Sequence, residues 1–167
     1  ALRARSGRPP GLPERGPADL FAAGCRAGSL ASAIPAAEQL MGLGPGLTPS
    51  GDDILAGALL ALRHLGAATG TERAVWLADW LAAAVAFDAR TRTTPISATL
   101  LHCAAQGQAC AEAAGVLHAL TGRQPLEPAV DRLVRLGHTS GADLLWGIGI
   151  GLEAVLRFAR EAGAAGR

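Results

Sequence analysis

The chain has 167 residues, half of them apolar, and a formal net charge of +1. That is enough for one domain with a real core, and it gives no electrostatic case for nucleic acid or an anionic membrane. All fifteen basic residues are Arg and no Tyr occurs; the missing Lys excludes Schiff-base chemistry and a P-loop.

Residues 1–16 carry Arg3, Arg5, Arg8 and Arg15 among Pro and Gly and read as a flexible arm or the end of a linker. The chain opens on Ala1 rather than Met, as expected of a fragment or a processed product that lacks an N-terminal part. From Pro17 the pattern is helical. Helices are predicted at 17–25, 29–41, 51–65, 71–88, 95–106, 109–120, 128–136 and 141–162, all rich in Ala and Leu. No alternating run of β-branched and aromatic residues suggests a strand. The expected fold is all-α, a single compact helical domain over 17–167 with seven or eight helices. The 51–65 and 141–162 helices are expected at its centre.

Asp79 interrupts the apolar stretch 76–87 and Glu153 follows 144–152, so no bilayer-spanning segment is predicted. Cys25, Cys103 and Cys110 form no CxxC pair, and the odd count suits reduced thiols in a cytoplasm. No His or Cys has the spacing of a zinc site.

The first unusual segment is LGPGLTPSGDDILAG, residues 43–57. Ser50 occupies an N-cap position and Asp53 follows three residues later, a capping box worth about 1 kcal/mol. Capping leaves Asp52, Thr48 and the glycines Gly42, Gly44 and Gly46 unexplained. Such a turn feeding a helix start is an anion site in outline. Two adjacent carboxylates repel a bare phosphate, so the spot also suits an amide-bearing group or Mg2+.

A second cluster, Arg90-Thr91-Arg92-Thr93-Thr94-Pro95, precedes another helix. Thr94 is its expected cap, with Pro95 at the first helical position and Ser97 beyond. Arg90 and Arg92 suit a carboxylate or phosphate as guanidinium forks; the plain alternative is solvated charge beside Asp88.

The third cluster, GHTSGAD, echoes the first. Ser50, Gly51, Asp53, Leu55 and Gly57 recur as Ser140, Gly141, Asp143, Leu145 and Gly147 at a constant offset of 90, with Thr48 and Thr139 just upstream. The match suggests an internal pseudo-twofold in which two helices pack through small residues with their N-termini adjacent. Capping alone accounts for Ser140 and Asp143. His138 is the candidate acid/base. His64 and His118, late in their helices, and His102 read as structural.

GLGPGLTPSGDDILAGALLAL, TRTTPISATLL and GHTSGADLLWGIGIGL, in this order, resemble a bacterial family that includes the small third subunit of oxamate carbamoyltransferase. The resemblance covers about residues 40–155. It implies a carbamoyltransferase acting as a set of different subunits, with oxalurate and phosphate giving oxamate and carbamoyl phosphate in allantoin catabolism. Relatives usually carry a longer region before the first motif, where this chain has its Arg/Pro-rich arm.

On that reading Asp52 or Asp53 accepts hydrogen bonds from the carbamoyl NH2, and His138 polarises the carbonyl or protonates a leaving oxygen. Arg90, Arg92 and the helix starts take the phosphate. Asp52, Asp53, Arg90, Arg92, His138 and Ser140 are expected to line one shared pocket, with Gly44, Gly46, Thr48, Ser50, Gly51, Thr93, Thr94, Ser97, Thr139, Gly141 and Asp143 as further substrate-binding positions. No cofactor is required, with Mg2+ an optional occupant at the Asp pair. The alternatives are a non-catalytic small-anion-binding module and an assembly subunit of a multi-subunit enzyme.

Overall fold

The computed structural model describes residues 11–165. Eight helices occur among them: α1 (Gly16–Ala27), α2 (Leu30–Leu40), α3 (Ser50–Ala68), α4 (Glu72–Arg92), α5 (Pro95–Ala105), α6 (Ala111–Leu120), α7 (Leu126–Val134) and α8 (Ser140–Ala165). No strand is present among the described residues. Residues 1–10 of the expected arm lie outside the described residues. Just beyond them, the Gly11 N–H donates to Asp143 Oδ1 at 3.3 Å.

Local chemistry sets several of the ends. Gly28, at φ 63°, closes α1 with Schellman-type bonds back to Cys25 and Gly24. Thr94 caps α5 as expected: its hydroxyl oxygen accepts from the Ser97 N–H at 3.1 Å, and Pro95 fills the first position. The cap expected from Ser50 is not made. Helix α3 starts one residue earlier, at Ser50 itself, with Pro49 in the N-cap position and no side-chain cap bond.

Helix α3 is buried continuously from Ser50 to Leu62, as befits a helix apolar on every face. Its most extensive partner is α8. α1, α4, α5, α6 and α7 pack around this pair. The largest fully buried side chains include Leu55, Leu59 and Leu62 of α3 and Leu145 and Ile148 of α8.

The seam is reciprocal. A Cβ built on Gly57 would collide with Leu144 O and come 2.9 Å from Ile148 N. One built on Gly147 would collide with Ile54 O and come 2.9 Å from Ala58 N. Each of these pairs maps onto the other at the offset of 90, and mutual exchange of contacts is the mark of a twofold.

The lead-in turns match too. Leu43 N–H donates to Leu40 O and Gly51 N–H to Leu43 O; Leu136 N–H donates to Leu133 O and Gly141 N–H to Leu136 O. α2–α3 and α7–α8 are thus two copies of one helix–turn–helix unit, related by an internal pseudo-twofold.

Candidate functional site

The seam brings two helix starts together with three buried carboxylates. Asp52 and Asp53 are neighbours in sequence, but the helical turn sends them into different surroundings.

Asp52 is 1% exposed. Its Oδ1 accepts from the Gly42 N–H at 2.9 Å; its Oδ2 accepts from the Ser97 hydroxyl at 2.6 Å and from the Thr93 hydroxyl. It therefore ties the start of α3 to the 42–49 turn and to the α4–α5 junction. The expectation that Asp52 has no structural duty while Asp53 caps the helix is reversed.

Asp53, also buried, has no hydrogen-bond partner for its Oδ2 among the described residues. It stands at the head of a cavity of about 520 Å³. Its carboxyl is pushed up to about 7, chiefly by burial; the Ser140 hydroxyl, a hydrogen-bond donor, offsets part of this, and the charges of Asp143 and Asp52 add to it. The Ser140 hydroxyl is also 3.1 Å from that of Thr48. Thr48, Asp53 and Ser140 form the polar head of the cavity, while Leu60, Leu100, Leu136 and Leu144 are among the residues of its apolar wall.

Asp143 mirrors Asp53 across the seam. It is fully buried, and burial raises its pKa against the opposing effects of the Ser50 and Thr139 hydroxyls and the Gly11 N–H. Ser140 of α8 thus serves Asp53 of α3, and Ser50 of α3 serves Asp143 of α8. The bonding expected within each helix start runs between the two helices instead.

The single pocket expected from the sequence is not formed. Thr48, Asp53 and Ser140 meet at the cavity, Thr93 and Ser97 converge on Asp52, and Ser50 and Thr139 attend Asp143. Gly51 and Gly141 are packing positions, their Cα hydrogens directed at Leu40 O and Leu133 O. Gly44, at φ 117°, lets the turn pass close to the Ser50 backbone, whereas a Cβ on Gly46 would meet none of the described residues. Thr94 serves as a helix cap and donates its hydroxyl to Leu47 O at 2.5 Å.

Arg90 and Arg92 are not at the cavity. α4 continues four residues past its predicted end and carries both into its last turn, where a cation favours the dipole. Arg92 pairs with Asp88 at 3.1 Å and Glu38 at 3.7 Å, and Arg90 borders a separate cleft between α4 and α5. His138 is exposed in the turn before α8 and does not line the cavity.

Cys103, Gln108 and Cys110 do line it and were not expected there. Their sole signal is a polar interruption between two Ala-rich helices, which becomes informative only once α5 and α6 are folded against α3. Among the described residues no group of three or more His, Cys, Asp or Glu is placed to hold a metal ion. Asp52 has both oxygens engaged by protein donors, a poor fit to Mg2+ bridged between Asp52 and Asp53. No described helix is long and apolar enough to cross a membrane.

Fold and site define a small all-α protein built on two symmetry-related helix starts, with an incompletely bonded carboxylate heading a cavity. The model of the oxamate carbamoyltransferase subunit AllH family matches residues 40–152, and the chain belongs to that family. No solved structure matches it.

Proposed function

We propose that this chain is a working subunit of a carbamoyltransferase, and that its cavity receives the carbamoyl or ureido end of a small acid such as oxamate or oxalurate. The observation that carries this reading is Asp53, a buried carboxylate at the head of a cavity with one oxygen unpartnered among the described residues. A carbamoyl NH2 supplies the donor that oxygen lacks, and the Thr48 hydroxyl can turn to donate to the carbonyl oxygen.

A carboxyl pushed up to about 7 is also suited to proton transfer near neutral pH. In the oxalurate-forming direction, the amide nitrogen of oxamate bonds to the carbamoyl carbon and the carbon–oxygen bond to phosphate breaks. Asp53 takes the proton leaving the nitrogen. Positioning and charge do the work, and no cofactor is needed.

Among the described residues the lining contains no Arg. A phosphate dianion therefore draws its cations from elsewhere, in keeping with a subunit that acts beside other proteins. Titration calorimetry with oxamate, oxalurate, carbamoyl phosphate and inorganic phosphate tests the reading. The ureido acid binds, inorganic phosphate alone does not, and Asp53→Asn weakens binding about tenfold or more. Unchanged affinity in Asp53→Asn and Ser140→Ala would sink it.

A further inference from the structure

Helix α4 is apolar on two faces. Its inner face buries Ala74, Leu77, Ala78, Leu81, Ala82, Val85 and Ala89. Its outer face carries Trp76, Trp80, Ala83 and Phe87 at positions i, i+4, i+7 and i+11, one stripe along the helix. Trp76 is 49% exposed, Trp80 54% and Phe87 86%. The chain has three Trp, three Phe and no Tyr, so half its aromatic residues stand on this one surface. The rings of Trp76 and Trp80 lie 6.3 Å apart, already paired into a ridge. Exposed Trp clusters are the composition of interface hot spots.

The ends of the stripe say what covers it. Glu72 lies one turn before Trp76, and Arg90 lies one turn after Phe87. Neither forms an ion pair with a described residue. Running a second α4 antiparallel about a twofold near residue 81 sets Trp80 against the partner's Ala83 and Trp76 against the partner's Phe87. It also sets each Glu72 against the partner's Arg90. The cleft beside Arg90 is bordered by His102 and by no acidic side chain, so it accepts that carboxylate.

We infer that the outer face of α4 is the twofold interface of a homodimer, with Trp76, Trp80 and Phe87 at its core and Glu72–Arg90 pairs at both ends. The exposed aromatic surface is roughly 400 Å² per copy. With Ala83, Ala84 and the charged ends, the pair reaches the roughly 1,000 Å² that a specific interface needs.

This inference is independent of the cavity reading, since no residue of the stripe lines that cavity. Analytical ultracentrifugation of the full chain tests it, with circular dichroism confirming that each variant is folded. The wild type sediments as a dimer and Trp80→Glu as a monomer. Glu72→Arg and Arg90→Glu each weaken dimerisation about tenfold, and the double reversal restores it. A wild type that stays monomeric at every concentration overturns the inference, even where an unlike subunit then protects the tryptophans from quenching. So does a dimer indifferent to Trp80→Glu, or a double reversal that restores nothing.

Discussion

Ser140, the first residue of α8, sets its hydroxyl beside the carboxylate of Asp53 on α3, and no hydrogen-bond donor among the described residues completes that carboxylate's second oxygen. The same hydroxyl reaches Thr48 at 3.1 Å. One hydroxyl thus joins the two helix starts and points one carboxylate at the cavity.

That carboxylate makes stability depend on pH. Its folded pKa of about 7 lies above the ordinary 3.8, so between these values the folded state holds a proton that the unfolded state has lost. Unfolding free energy therefore falls as pH rises from about 4 to about 7, by at most about 1.4 kcal/mol per pH unit from this group, and is flat with respect to it above that window. Asp143 acts in the same direction. Urea unfolding across the range should show a shallower slope in Asp53→Asn than in the wild type, and identical slopes would refute the assignment.

Asp52 behaves oppositely. Asp52→Ala strands the Gly42 N–H and the Thr93 and Ser97 hydroxyls in a buried site. A loss of about 3 kcal/mol or more is expected. Asp53→Asn should leave the unfolding midpoint near neutral pH unchanged or raise it. The two midpoints, measured side by side, check the division between a structural and a functional carboxylate.

At the seam, Gly57→Ala and Gly147→Ala each drive a methyl into the backbone of the facing helix. Each should cost about 3 kcal/mol, the upper range for overpacking. Since both changes push the same two helices apart, the double variant should lose less than the sum of the single losses. Strict additivity in chemical denaturation would mean that the two crossings are independent.

The thiols report on the cavity. Cys25 is buried and its thiol is pushed up to about 12, whereas Cys110 is exposed and Cys103 partly so. A thiol reagent should label Cys110 first, Cys103 more slowly and Cys25 only on unfolding. Cys103 and Cys110 both border the cavity, so a bound ureido acid should slow their labelling without affecting Cys25. Equal protection of all three would indicate general tightening instead of occupancy.

The all-helical class was legible because Ala- and Leu-rich segments are punctuated by Gly and Pro, and the eight helices fall where that punctuation sets them. The pseudo-twofold was legible as well: small residues recurring at a fixed offset of 90 are what two closely crossing helices require. The motifs also carried the family, which the match over 40–152 bears out.

Only the tertiary structure decided which aspartate does what. Capping and cross-helix bonding call for the same residue types at the same spacing, and neighbouring helical positions differ by about 100° in direction. That rotation sends Asp52 toward Thr93 and Ser97 and leaves Asp53 at the cavity head. Arg90 and Arg92 were misplaced for a related reason. A helix end is set by the balance of its last few hydrogen bonds, and the four extra residues of α4 beyond 88 turn an expected anion clamp into last-turn charges. The cavity wall was likewise beyond the sequence: α3, α5, α6 and α8 each contribute apolar residues that fill core positions equally well, and only their packing leaves a space between them.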